Sequence, residues 1–281
     1  MVTTNTLSVD LSDQLQHLLD ECKLYDQATP CVQLDIKINL FKEMPCYLIE
    51  LENDKPIAIC SIMAINTFEG EIAIAVLPQK RNQGLAKTLK NRAKQILSEY
   101  GYKQMLYVNN ENSASGKQFI EQLQIPFHHT EYTLEYDQAH QATRASRLLV
   151  TRANERDAYK VTNISVDAFG DEYEIAYPFI EACFQNPTRT IYLGQLSYEP
   201  ICTLIVGFEN NTYFINGLAV LKSHQGKGYG KEFLQEVIYN LSQNSHDIII
   251  DVDNTNLTAY QLYKKTGFKE KSVTGYYVEK F

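Results

Sequence analysis

The sequence predicts an α/β (α+β) fold made twice over: two copies of one unit in tandem, each a mixed, mostly antiparallel sheet flanked by helices. Three observations predict it. First, 281 residues are long for one hydrophobic core and ordinary for two domains of about 140. Second, the pattern [RQ]-x-x-G-x-[GA] occurs at Arg81-Asn82-Gln83-Gly84-Leu85-Ala86 and again at Gln225-Gly226-Lys227-Gly228-Tyr229-Gly230, an offset of 225 − 81 = 144. Third, the offset continues ungapped over roughly 45 residues, as an internal repeat does. It sets "IAVL" on "LAVL", Asn110 on Asn254, Asn112 on Asn256 and Phe119 on Tyr263.

The elements follow in order. In the first copy, apolar spacing predicts a helix over 11–24, with no convincing strand before it. The segments "CYLIELE", "IAICSIMAIN" and "EIAIAVL" read as strands, followed by the first glycine loop, a helix over 85–99, the strand "QMLYVN", a helix over 113–122 and the strand "EYTLEY". The polar stretch "DQAHQATRAS", 137–146, reads as a linker, which assigns 1–136 and 147–281 to the two domains. In the second copy, "SRLLVTR" is a strand, and "ERDAYKVTNISVDAF" and "EIAYPFIEACF" have helical spacing. "RTIYLGQL", "PICTLIVGFE" and "TYFINGLAV" then alternate as antiparallel strands, with turn signals at Tyr198-Glu199-Pro200 and Asn210-Asn211. A helix over 228–242, the strand "DIIIDV", a helix over 255–266 and two short closing strands around Thr274-Gly275 complete the chain.

Composition narrows the function. A net charge of −8 argues against a general nucleic-acid or anionic-membrane surface. The first twenty residues lack a basic start followed by an apolar run, so no signal peptide is expected, and no apolar stretch is long enough to span a bilayer. The six cysteines show no C-x-x-C and no histidine at metal-ligand spacing. They read as small core residues of a reducing, cytoplasmic protein with no metal.

The glycine loop of the second copy fails two familiar templates. A dinucleotide loop needs a glycine where Lys231 stands, and a Walker loop needs four residues before its Gly-Lys pair and Ser or Thr after it. A strand ending in glycines that open a helix still gathers backbone N–H groups at a positive dipole end, which suits phosphate. A tight turn that merely needs positive φ is the alternative.

The order strand, Gln/Arg-x-x-Gly-x-Gly/Ala, helix, strand ending in Asn, then a helix closing "YxxxGF" resembles the GNAT superfamily of N-acetyltransferases. In the second copy "AVLKSHQGKGYGKEFL" and "VDNTNLTAYQLYKKTGF" carry the resemblance. It implies acetyl-CoA as cofactor, with a sheet that splits after the strand bearing "GLAV". It implies that Gly217, Leu218, Ala219 and Val220 offer backbone groups to the pantetheine arm and Asn256 a side-chain amide. The N–H groups of Gln225, Gly226, Lys227, Gly228, Tyr229, Gly230 and Lys231 would meet the pyrophosphate, with Gly228 and Gly230 admitting it closely.

Tyr263 would donate a proton to the departing thiolate, unless it is one of nineteen tyrosines simply packed on an amphipathic helix. Asp251, Asp253, Glu172, Glu174 and His224 are candidate bases, none preferred. In the first copy Phe119 has no proton to give, and Leu123 and Gln124 replace Gly267 and Phe268. That copy keeps Val76, Arg81, Asn82, Gln83, Gly84, Leu85 and Ala86, a candidate second cofactor site in a catalytically silent domain. The expected activity is acetyl transfer to a primary amine of a small molecule or peptide, by direct attack in a ternary complex. A non-catalytic acyl-CoA-binding regulatory protein is the alternative.

Overall fold

Strand alternation and helical spacing place most elements where the sequence predicts them. The computed structural model describes residues 1–36, 39–140, 146–209 and 211–281. The expected linker, 137–146, and the turn signal at Asn210 fall partly outside these described residues. The chain forms two compact units: Met1–Glu131 with Ser272–Phe281, and Tyr132–Lys271.

The first unit contains β1 (Val2–Thr4), α1 (Val9–Asp26), β2 (Tyr47–Glu52), β3 (Lys55–Met63), β4 (Glu69–Val76), α2 (Leu85–Glu99), β5 (Gln104–Asn110) and α3 (Ala114–Leu123). It also takes the start of β6 (Phe127–Tyr136) and the end of β12 (Phe268–Lys280). Strands β1 to β4 pair antiparallel in sequence order, β5 joins β4 in parallel, and β12 pairs antiparallel with β5. α1 buries Leu15, Leu18, Leu19 and Cys22 at spacings of three and four, the apolar stripe that a surface helix needs.

Two expectations are corrected here. A first strand does exist: β1 has only three residues, too few to show alternation, and it is held by tertiary pairing such as Thr3 against Leu48. The two closing strands are one, β12, which runs through Thr274-Gly275 without a turn. Gly275 is glycine because Glu111 reaches across it to the Tyr277 hydroxyl, and a Cβ there would lie 2.1 Å from Glu111 Oε1. Pairing of 274–280 with β5 puts the end of the chain in the first unit.

The second unit contains the rest of β6, then β7 (Leu149–Arg152), α4 (Ala158–Phe169), α5 (Tyr173–Gln185), β8 (Arg189–Leu196), β9 (Glu199–Glu209), β10 (Thr212–Val220), α6 (Tyr229–Leu241), β11 (Asp247–Asp253), α7 (Leu257–Lys265) and the start of β12. Its strands lie in the order β6-β11-β10-β9-β8-β7, with β10 and β11 parallel. The period of two sorts the core into two layers. Leu204 and Val206 join Phe233, Leu234, Val237 and Ile238 of α6, whereas Ile205 joins Val161 and Ile164 of α4 and Ile180 of α5. Among the described residues no helix is long and apolar enough to cross a membrane. Five cysteines are buried and Cys31 is half-buried.

Candidate active site

The site begins where two parallel strands part. β10 pairs with β11 from Thr212–Asp247 to Ile215–Ile250 and no further, although β10 runs on to Val220. The parting coincides with a bulge on the opposite side: Asn216 faces Ile205 and Ala219 faces Thr203, so Gly217 and Leu218 together oppose Leu204. Gly217, at φ 60°, takes the left-handed conformation within it. An extra residue bends and twists its strand. Ala219 and Val220 therefore keep β9 on one side, and among the described residues 218–220 pair with no strand on the other. In the first unit β4 and β5 also part, after Ile72 and Tyr107, but β3 and β4 stay in unbroken register from Met63–Glu71 to Ala58–Val76.

The strand then feeds the glycine loop, whose backbone repeats residue by residue between the copies. A 3₁₀ turn at Lys222–His224 matches one at Pro78–Lys80. Left-handed residues follow at Gly226 (73°) and Gly228 (87°), and at Asn82 (61°) and Gly84 (82°). Gly228 and Gly84 are the N-caps of α6 and α2. Asparagine tolerates this conformation better than most side chains, which explains Asn82. The first residue of each motif buckles the loop to its strand: Gln225 Nε2 donates to Val220 O at 2.9 Å, and Arg81 Nε donates to Val76 O at 3.0 Å.

In the second copy the N–H groups of Lys231 and Glu232 donate to Gly228 O, so those of Tyr229 and Gly230 start the helix without an acceptor inside it. They stand at its positive end. The two helix-opening glycines differ in purpose. A Cβ on Gly230 would meet Val220 Cγ2 at 3.3 Å, so this glycine lets the helix seat against the strand. A Cβ on Gly228 would meet only Arg147 Nη2, at 3.6 Å.

Arg147, a residue that no motif marks, braces the loop. Its Nη2 donates to Lys227 O at 2.9 Å, its guanidinium lies 4.4 Å from the Tyr229 ring centroid, and it forms an ion pair with Glu232 at 2.6 Å. Hydrogen bonding from Arg147 holds the Glu232 carboxyl below its ordinary range.

Tyr263 is the buried residue of α7, with its ring beside Phe268. Burial pushes its phenol up to about 12, and its hydroxyl has no hydrogen-bond partner among the described residues. Asn256 caps α7 by accepting from Ala259 N at 3.1 Å, which leaves its Nδ2 as the group free to donate. Asn254, at the end of β11 and named by the sequence only as a repeat position, has a buried Oδ1 with no partner.

Of the candidate bases, Asp253 accepts from Thr255 N at 2.6 Å and so closes a local turn. Asp251 stands one residue past the last β10–β11 pair, and desolvation raises its carboxyl although the residue keeps an exposed side. Glu172 is the N-cap position of α5, with Glu174 in its first turn. The His224 ring is hydrogen-bonded to Ser223 Oγ.

The first copy fills the corresponding place with its own chain. Val76 O accepts from Cys22 Sγ at 3.4 Å as well as from Arg81. Arg81 is locked to Asp26 by two bonds of 2.8 Å, and Asp26 also accepts from Ser115. Asn110, the counterpart of Asn254, donates Nδ2 to Thr29 O at 3.2 Å, with Ala28 and Val32 buried on either side.

The acetyltransferase (GNAT) family profile matches residues 12–123 and 117–268. Among solved structures, a GCN5-related N-acetyltransferase from Sphaerobacter thermophilus is similar over 99% of this chain and 95% of its own, with a TM-score of 0.81 and 14% identity. A tandem GNAT protein from the clavulanic acid biosynthesis pathway is similar over 99% and 97%, with a TM-score of 0.72 and 11% identity. An acetyltransferase of the GNAT family from Colwellia psychrerythraea gives 99% and 99%, 0.66 and 11%. At such identities these likenesses establish the fold. No curated protein matches the chain by sequence. The split sheet, the helix-opening loop and the family match each occur twice in one chain, and the match covers well over half of it, so this protein belongs to the GNAT acetyltransferase family and carries that acyl-transfer fold in tandem.

Proposed function

We infer that the second copy is an acetyl-CoA-dependent N-acetyltransferase that acylates a primary amine of a small molecule or peptide by direct attack in a ternary complex. The observation that carries this reading is the bulged end of β10, free of β11 and leading straight into a helix-opening loop. The residues present fit coenzyme A. Apart from Val220 O, which Gln225 uses, the free edge of 218–220 offers backbone groups to its pantetheine arm, the start of α6 offers N–H groups to its pyrophosphate, and Asn254 keeps a buried oxygen in want of a donor.

Bound acetyl-CoA supplies an activated acyl group with a thiolate as leaving group. Tyr263 keeps its proton at physiological pH and presents it as a hydrogen bond to the departing sulfur. Full transfer from a phenol at about 12 to a thiolate near 8.5 is uphill by on the order of 5 kcal/mol, so Tyr263 acts chiefly by hydrogen bonding. In this reading Asp251, with its raised carboxyl, takes the proton of an ammonium acceptor, directly or through water. The acidic chain favours a cationic acceptor.

The first copy serves as a scaffold and not as a second cofactor site, because its own residues occupy Val76 O and Asn110. A non-catalytic acyl-CoA-binding protein is the second reading, favoured by the weak acidity of Tyr263. Calorimetry with acetyl-CoA and thiol-release assays over a panel of primary amines test both readings. The expected result is one equivalent bound per chain and turnover with at least one amine. Binding without turnover across polyamines, amino sugars and peptide N-termini would favour the regulator, and two equivalents would restore the first copy as a site.

A further inference from the structure

A second cleft in the second unit is lined by three arginines. About 520 Å³ in volume, it is lined by Arg152, Arg156, Arg189 and Phe184 among others. Arg152 ends β7, Arg156 lies in the turn that leads into α4, and Arg189 begins β8. The Ala153 N–H bond to Ile191 O, 2.8 Å long, ties the two strands together at the floor.

The charge of this cleft is out of keeping with the chain. The protein carries −8 overall, yet three arginines line the cleft against a single acidic residue, Glu155. Elsewhere among the described residues the arginines meet carboxylates: Arg81 with Asp26, Arg92 with Glu99 and Arg147 with Glu232. The side chains of Arg152 and Arg156 have no hydrogen-bonding or ion-pair partner among the described residues, and Glu155 pairs with neither. Asp157 is turned into its own helix cap, where Asn154 N and Lys160 Nζ use its oxygens. Arg189 is positioned by Cys183 Sγ at 3.0 Å and by the Phe179 ring.

We propose that this cleft binds a phosphate-bearing small molecule. The unpaired guanidinium forks of Arg152 and Arg156 at one concavity match the oxygens of a dianionic phosphate, which each fork can grip with two parallel bonds, and Arg189 adds its charge beside them. The volume is in the range of metabolite pockets and exceeds the needs of bare phosphate, while the half-buried Phe184 gives the remainder of the molecule an apolar surface. The cleft is separate from the acyl-transfer site. β9 lies between β10 and β8, so at about 4.8 Å per strand the Arg189 strand is roughly 10 Å from the split and the Arg152 strand is farther.

Titration calorimetry on the full chain, with acetyl-CoA saturating, tests the proposal using ribose 5-phosphate, inorganic phosphate and citrate as probes. Ribose 5-phosphate should bind once per chain and saturably, and inorganic phosphate should compete with it more weakly. The double variant Arg152→Gln/Arg156→Gln should weaken ribose 5-phosphate at least tenfold, whereas Arg92→Gln leaves it unchanged. Arg152 and Arg156 are exposed, so the double variant should melt with the wild type; Arg152→Glu provides a second test by charge reversal. Absence of saturable binding by either phosphate, affinity within threefold of wild type in the double variant, or binding of citrate alone would overturn the assignment.

Discussion

At the scale of single residues, burial sets what each titratable group can do. Tyr263→Phe removes a hydroxyl that no described residue uses, so the melting temperature should hardly move. If the hydroxyl serves the leaving sulfur, kcat should fall by something like 10²- to 10⁴-fold with acetyl-CoA affinity little changed. Wild-type turnover in this variant would send the donor's role elsewhere. Phe119, its counterpart, is only half-buried, so Phe119→Ala should lose less than the ~3–5 kcal/mol of a fully buried ring. In the first unit, desolvation, helped by Glu131 and Glu69, raises the Glu71 carboxyl to about 7. Its folded pKa thus lies above the unfolded one, so its contribution to stability is complete below the unfolded value and is lost as pH rises through 7. Relative to Glu71→Gln, the wild type should lose on the order of 3 kcal/mol between pH 4 and pH 8, read from urea midpoints. Parallel pH profiles would show that Glu71 ionises freely.

At the scale of elements, the loop between β10 and α6 combines a backbone requirement with the proposed binding surface. Gly228→Val places a β-branched side chain at a φ of 87°, which alone should destabilise the fold by about 1–2 kcal/mol. It should also weaken acetyl-CoA at least tenfold, or about 1.4 kcal/mol, by crowding the helix start. Calorimetry on folded variant separates the two effects, and unchanged affinity would take the loop out of the site. This loop was largely legible in the sequence, because the repeat offset and the need for left-handed residues both leave marks at 82, 84, 226 and 228. The bulge at Gly217 was not, since register against β9 depends on a strand ten or more residues away. The closure of the first copy was hidden for the same reason: Cys22, Asp26 and Thr29 meet Val76, Arg81 and Asn110 only through tertiary pairing. Arg147 and the arginine cleft leave no local pattern either, and β1 is too short to show one.

At the scale of the whole molecule, duplication allows one copy to lose the chemistry while the other keeps it. The offset of 144 predicted two versions of one unit, but it could not show that the chain crosses between them within β6 and again within β12. Deleting 272–281 should strip β5 of its antiparallel partner, so that amides of the first unit exchange quickly while those of β9, β10 and α6 stay protected. Uniform protection would mean that the first unit is stable without its final strand. An exposed β5 edge should also promote association between chains. The placement of that strand has a consequence in time. Residues 1–131 leave the ribosome long before 272–281 do, and at about 5–20 residues per second the wait for 132–271 is on the order of ten to thirty seconds. Throughout that interval the first half is an unfinished sheet whose β5 edge is bare. The half that is made first is the half that must finish folding last, and a nascent chain stalled before its final strand would need a chaperone to keep that edge from a stranger.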